Sequence, residues 1–341
     1  MTPTRKAVSP AWILFFLSPA VAELLSGSAP PVEFFNPFTL AVLAALYGSG
    51  AVLCRELVRR WGKGWLSLLT LGAAYGILEE GLMVKSFFDP QWVDLGALGT
   101  YGRWGGVNWV WAGALTVYHA VFSIAIPIVL VELAFPARRR EAWVGRRTGR
   151  ALWVLLVADV LFGFLFLTPY RPPLLPFVLF AGGMLGLGTL ARRLDDPALP
   201  AHRRPLPRPR LFWLLGLLGT LGHFVVAWVV PGTSVPPLVA LLLMGIVAAG
   251  VSTIVVRVVR RAGPLGEPHR LALVAGGLTF FLLLAPLQNL DSTRLDNTSG
   301  MALVGLVGSI LLVWLAGRIR ARGAAEAGPA EAAASACGPS V

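Results

Sequence analysis

The chain has 341 residues, 56% of them hydrophobic and only 13% charged, with a formal net charge of +12. Soluble domains carry about 25% charged residues, so the composition excludes an ordinary soluble globular protein. The basic excess does not point to nucleic acid, because cytoplasmic loops of membrane proteins collect the same arginines and lysines.

Apolar runs of about twenty residues recur along the chain, the length a helix needs to cross hydrocarbon. They predict an all-α polytopic bundle over residues 1–322 with about ten transmembrane helices. The first, 11–27, carries Glu23 in its outer half. Arg5, Lys6 and the small residues Ala20-Val21-Ala22 also suit a cleaved leader, but Pro19 and Glu23 flank that site and favour a retained helix. Pro30 and Pro31 punctuate its end. The second span, 38–60, closes on RELVRR, and Gly62 and Gly64 separate it from the third, 65–86. Cys54 lies in that second span and Cys337 in the tail, so neither a disulfide framework nor a zinc pattern is present.

The stretch 90–111, PQWVDLGALGTYGRWGGVNWVW, reads as a surface-lying or re-entrant segment, an aromatic belt or a lid. The fourth span, 107–135, is longer than hydrocarbon requires. Spans at 151–169 and 174–191 follow. The Pro- and Arg-rich linker 192–210 then divides six spans from four, at 211–230, 236–257, 270–287 and 300–317. Residues 323–341, rich in Ala, Gly and Glu, have too little apolar bulk to pack and read as a disordered tail.

Orientation follows from the cations. Assigning the termini and alternate connections to one side collects all but Lys85, Arg103, Arg171 and Arg294 of the 29 Lys and Arg residues. The positive-inside rule then places both termini in the cytoplasm of a multi-pass cell-membrane protein. A faint internal repeat pairs AELL and FFNP (34–37) with LEEGL and FFDP (87–90), a feature that transporters often show.

Ionisable residues within spans are functional candidates. Here they share a depth near the outer face. Glu79 and Glu80 lie near the outer end of the third span and His119 at similar depth on the fourth. Adjacent residues point about 100° apart on a helix, so one glutamate is expected to face a site and the other to lock a neighbouring helix. Glu23, Tyr118, Asp159, Arg103, Asn108, Gln288 and Asn289 are candidates to line the same outer cavity, with His223 on the seventh span. Glu56 and Glu132, beside basic clusters at the inner ends, read as cytoplasmic-interface anchors.

GILEEGLMVKSF, residues 76–87, resembles the signature helix of the CPBP family of intramembrane proteases, which includes the CAAX-processing enzymes. That family has a Glu-Glu pair followed by Arg, then an FxxxH helix, then a helix with His and Asn. Glu79 and Glu80 match the pair. Val84 stands at the Arg position with Lys85 one place later, Leu115 to His119 stands for FxxxH, and His223 stands for the second His with Ala227 in place of Asn. The resemblance implies Glu79 or Glu80 as the base that activates water, with His119 and His223 stabilising the oxyanion or binding a metal. Residue spacing by itself assigns no metal ligand and leaves any cofactor unknown: HExxH, GxSxG, Walker and GxGxxG patterns are absent from the sequence. A secondary transporter using membrane carboxylates for proton coupling is the competing class. A non-catalytic membrane component is the third. The expected partners are the bilayer and an unidentified substrate.

Overall fold

The computed structural model describes residues 8–93, 95–198, 204–292 and 294–336. Asp94 of the aromatic stretch lies outside the described residues, as do 199–203 of the linker and 337–341 of the tail. Among the described residues, nine helices are long and apolar enough to cross a membrane. In chain order the helices are α1 (Pro10–Leu24), α2 (Pro37–Arg60), α3 (Trp65–Met83), α4 (Trp109–Ala134), α5 (Arg146–Leu167), α6 (Leu174–Arg193), α7 (Pro209–Gly232), α8 (Pro237–Ala262), α9 (Glu267–Leu290) and α10 (Met301–Ala336). The apolar run expected as the first span is the short one, α1. At 1.5 Å per residue it reaches about 22 Å, less than the roughly 30 Å hydrocarbon core. Helix α10 continues past its apolar part into the segment expected to be disordered.

Helix ends follow local chemistry. Asn36 accepts from the backbone N–H groups of Phe38 and Thr39 ahead of α2, with Pro37 at the first helical position. Asn108 does the same for α4, accepting from Trp111 N at 3.0 Å. Between α3 and α4 the aromatic stretch forms a small antiparallel hairpin, β1 (Arg103–Trp104) with β2 (Val107–Asn108). Gly105 and Gly106 both take positive φ, as a tight two-residue hairpin turn requires. Trp104 and Trp109 stack at 5.1 Å between ring centres, and the hairpin packs over α4, α6, α7 and α8.

α4 is the centre of the bundle. Its apolar window is 72% buried, against 61% for α2 and α3 and 17% or less for α5, α6, α8 and α10, whose apolar faces point outward. Three apolar clusters meet on it. One joins it to α1, α2, α3 and α5, one to α1, α7, α9 and α10, and one to α3 and the aromatic stretch. Small residues set the spacing. A Cβ on Gly72 of α3 would lie 2.7 Å from Ala120 Cα of α4, and one on Gly76 would lie 3.1 Å from His119 Cβ. Backbone cannot yield as a side-chain tip can, so Gly72→Val is expected to cost about 1–3 kcal/mol by overpacking. Thermal unfolding in detergent reads this as a Tm several degrees lower; an unchanged Tm would contradict so close an approach.

The end of the bundle where α2 closes and α3 begins holds a buried ion network. Glu132, 2% exposed, lies 2.5 Å from Arg59, 2.9 Å from Arg270, 3.3 Å from Arg139 and 3.7 Å from Arg55. Glu56 accepts from Arg55 at 2.8 Å and from Trp143 N at 2.9 Å, and the Arg55 guanidinium lies over the Trp143 ring. These glutamates therefore do not reach out to the interface as expected. They are interior counterions that join α2, α4, α9 and the loop after α4.

Candidate functional site

Glu79, Glu80 and His119 come together between α3 and α4. One oxygen or ring nitrogen from each lies within 4.8 Å of the others. His119 Nε2 is 3.1 Å from Glu80 Oε1. Its Nδ1 is 2.8 Å from Ser123 Oγ and 3.2 Å from Glu79 Oε2, and only the first has hydrogen-bond geometry. The expected division of labour between the two glutamates describes the fold only in part: Glu79 reaches Tyr47 on the neighbouring α2, yet it shares His119 with Glu80. Both address one imidazole, because its nitrogens open on opposite edges and a carboxylate approaches each.

The backbone explains how adjacent residues manage this. α1, α2, α3 and α4 each contain a turn of π-helix, at Ala20–Leu24, Ala44–Gly48, Ile77–Met83 and His119–Ala125. These four turns carry Glu23, Tyr47, the glutamate pair, and His119 with Ser123. A π-turn accommodates an extra residue within an α-helix and is frequent at functional sites. Proline supports it here. Pro127 has no N–H to give the Ser123 carbonyl four residues back, and the Ser18 hydroxyl donates to that carbonyl at 2.7 Å, tying α1 to α4. Pro19 likewise leaves the Phe15 carbonyl open, and Gly48 lets α2 approach it: a Cβ there would meet that oxygen at 2.4 Å.

Hydrogen bonds extend the cluster two ways. The Tyr47 hydroxyl contacts both Glu79 Oε1 and Glu23 Oε1. A phenol has one proton, so the hydroxyl donates to one of these carboxylates at a time. On the other side Ser86 donates to Glu80 Oε2 and accepts from Trp111 Nε1 at 3.0 Å. Tyr47 and Tyr75 flank the imidazole, their ring centres about 6 Å from it. Glu79 and His119 are buried at 4% and 2% exposure, whereas the Glu80 side chain keeps 12% and is the most exposed member of the three. The arrangement can accept a proton at Glu80, pass it to or from the imidazole, or hold one cation among two carboxylates and a ring nitrogen.

Glu23 joins this cluster through Tyr47. The other expected lining residues do not. The Tyr118 hydroxyl donates to Ala22 O. Arg103 fastens the hairpin to Phe88 O at 2.7 Å and Asp89 O at 3.0 Å. Asn108 donates to Leu98 O, Gln288 to Ser26 O, and Asn289 accepts from Gly300 N at the start of α10. Asp159 is buried on α5, with Oδ2 unpartnered among the described residues. His223 interacts with the backbone of Ala114 and packs on Phe224, and among the described residues it makes no hydrogen bond or ion pair with the Glu-Glu-His cluster. Lys85, one place past the family's Arg, is fully buried at φ 63° and donates to Phe164 O and Thr168 O at the end of α5. Sequence reasoning passed over Tyr47, Ser86, Trp111 and Ser123. The signal for Tyr47 was a hydroxyl in a deep apolar run, which needs a partner.

No curated protein and no solved structure matches the chain. Residues 12–327 match the model of an uncharacterized membrane protein family.

Proposed function

The chain belongs to that family of membrane proteins, and we propose that it is a membrane-embedded hydrolase resembling the CPBP intramembrane proteases, acting on an amide or ester bond of a membrane-resident substrate. The observation that carries this is the convergence of Glu79, Glu80 and His119 on one point between α3 and α4. Glu80, the accessible carboxylate, takes the proton of an attacking water. His119 stands 3.1 Å away to receive it or to stabilise the oxyanion. Ser123 holds the imidazole at its other edge, where Glu79, held by Tyr47, supplies a nearby carboxylate. The reading rests on three residues rather than four, since His223 sits apart.

The test uses full-length protein in lipid nanodiscs, offered single-span peptides and phospholipids, with products identified by mass spectrometry. Products that form with the native chain and vanish with Glu80→Gln support the reading. Products that persist in the variant overturn it.

A second reading, proton-coupled transport, is favoured by the Tyr47 hydroxyl bridging Glu23 and Glu79, which lays a path of exchangeable protons from α1 to Glu79 on α3. It predicts proton flux into liposomes, followed with an entrapped pH dye, that Tyr47→Phe abolishes. A hydrolase gives none.

We further propose that both termini face the cytoplasm of the cell membrane, which requires the short α1 to cross together with the nine longer helices, and that the Glu-Glu-His cluster lies toward the outer face. The distribution of cations supports this. An impermeant thiol reagent on intact cells is expected to label Gln91→Cys, an exposed position before the hairpin, and to spare Arg146→Cys at the start of α5. The reverse pattern inverts the topology.

A further inference from the structure

The buried ion network encloses a cavity of about 140 Å³, several times the roughly 30 Å³ of one water. Arg55, Arg59, Lys63 and Arg139 line it, with Trp65 and Leu68 as apolar wall. Arg270 stands behind it, bound to Glu132. Against these five cations the folded helices offer two buried acids, Glu56 and Glu132, leaving three positive charges in excess. Arg55 and Arg270 are the buried ones, while Lys63, Arg59 and Arg139, with side chains 18%, 28% and 39% exposed, bring the excess to the opening. Donors are also left over. Arg55 Nε, and Arg270 Nε and Nη1, have no hydrogen-bond partner among the described residues, and Arg55 is 1% exposed.

Part of the deficit is met by the chain itself. Asp195 and Asp196, from the linker after α6, come to the cavity mouth. Asp195 lies 2.5 Å from Lys63 Nζ. The Asp196 carboxylate sits over Gly64, where a Cβ would meet it at 1.7 Å. Two exposed carboxylates at this opening mark it as a place that receives anionic groups, and one positive charge still remains in excess. The opening lies where α2 ends and α3 begins, at the level of lipid headgroups, beside a tryptophan of the kind that settles at that interface.

From this we infer that the cavity binds the phosphate of an anionic phospholipid, which displaces the Asp195–Asp196 pair and lays its glycerol end against Trp65 and Leu68. Basic pockets between transmembrane helices bind such headgroups. The inference is independent of the hydrolase reading, which concerns residues some 20 Å away along α4.

The test is direct binding to the delipidated full-length protein by native mass spectrometry, with phosphatidylglycerol, phosphatidylcholine and inorganic phosphate as probes. Phosphatidylglycerol is expected to bind at least tenfold tighter than the other two. Arg59→Gln with Arg139→Gln should weaken it about 30-fold, the worth of two cations near a membrane surface. Asp195→Asn with Asp196→Asn, which alters only exposed linker residues, should tighten it severalfold. Equal binding of phosphatidylcholine would overturn the proposal. Equal binding of inorganic phosphate would overturn the lipid as its source. Unchanged affinity in the double asparagine variant would overturn the displacement.

Discussion

Glu80→Gln is expected to lower turnover by about 100- to 10,000-fold, the range for loss of a general base, while the protein still folds and inserts. The amide has nearly the shape of the carboxylate. It keeps an oxygen for the Ser86 hydroxyl, but its NH2 group then stands where Oε1 faced His119 Nε2, so the acceptor there is lost along with the capacity to take up a proton. Glu80 is also the least enclosed of the three groups, with 12% of its side chain exposed, so its replacement disturbs little packing. His119→Ala should cost a similar factor and also loosen the fold, since Glu79, Glu80 and Ser123 would lose a common partner. The two are separated by measuring activity and Tm on the same preparations. If Glu80→Gln lowers Tm as far as it lowers activity, the pair is a structural lock between α3 and α4, and the hydrolase assignment falls.

Glu132→Gln is expected to be the most destabilising single change in the chain. Four arginines surround one carboxylate that is 2% exposed. A neutral amide leaves them repelling one another inside the bundle. Breaking a buried charge pair by removing one partner costs about 3–5 kcal/mol, which at about 2–4 °C per kcal/mol is a fall in Tm on the order of 10 °C. Glu141→Gln is the matched control. Glu141 pairs with Arg138 at 3.1 Å but is more than half exposed, so its loss should stay within about 0.5 kcal/mol. Glu132→Gln combined with Arg270→Met should recover part of the loss, because a buried charge leaves with its counterion. A double variant no more stable than the single one would show that the network is not held together by charge balance.

What could be read from the sequence follows from what hydrocarbon demands. Backbone groups in lipid must bond within their own helix, so the apolar runs announce helices, and a carboxylate inside one announces a partner. Glu79, Glu80 and His119 were visible in this way. Their geometry was not, because a π-turn adds a residue without leaving a trace in composition. Tyr47 and Glu23 meet only after α1 and α2 fold beside α3. Glu132 looked like an interface residue because the basic loop follows it directly. That Arg270, 138 residues later, folds onto it is a tertiary fact. Gly105-Gly106 between Trp104 and Val107 was a legible hairpin signal within a stretch treated as an aromatic belt.

The π-turns also determine which kind of genetic change the centre between α3 and α4 can absorb. Within Ile77–Met83 a substitution alters one side chain. Deleting one residue there removes the extra residue that the π-turn absorbs and restores α-helix, so the residues beyond keep their faces and only those within the turn, the glutamate pair among them, are re-aimed. The same holds for His119–Ala125, where a missing residue would re-aim His119 and Ser123 while the half of α4 that carries Glu132 keeps its register. Loss of one residue at these turns is thus a change to the centre and not to the bundle around it.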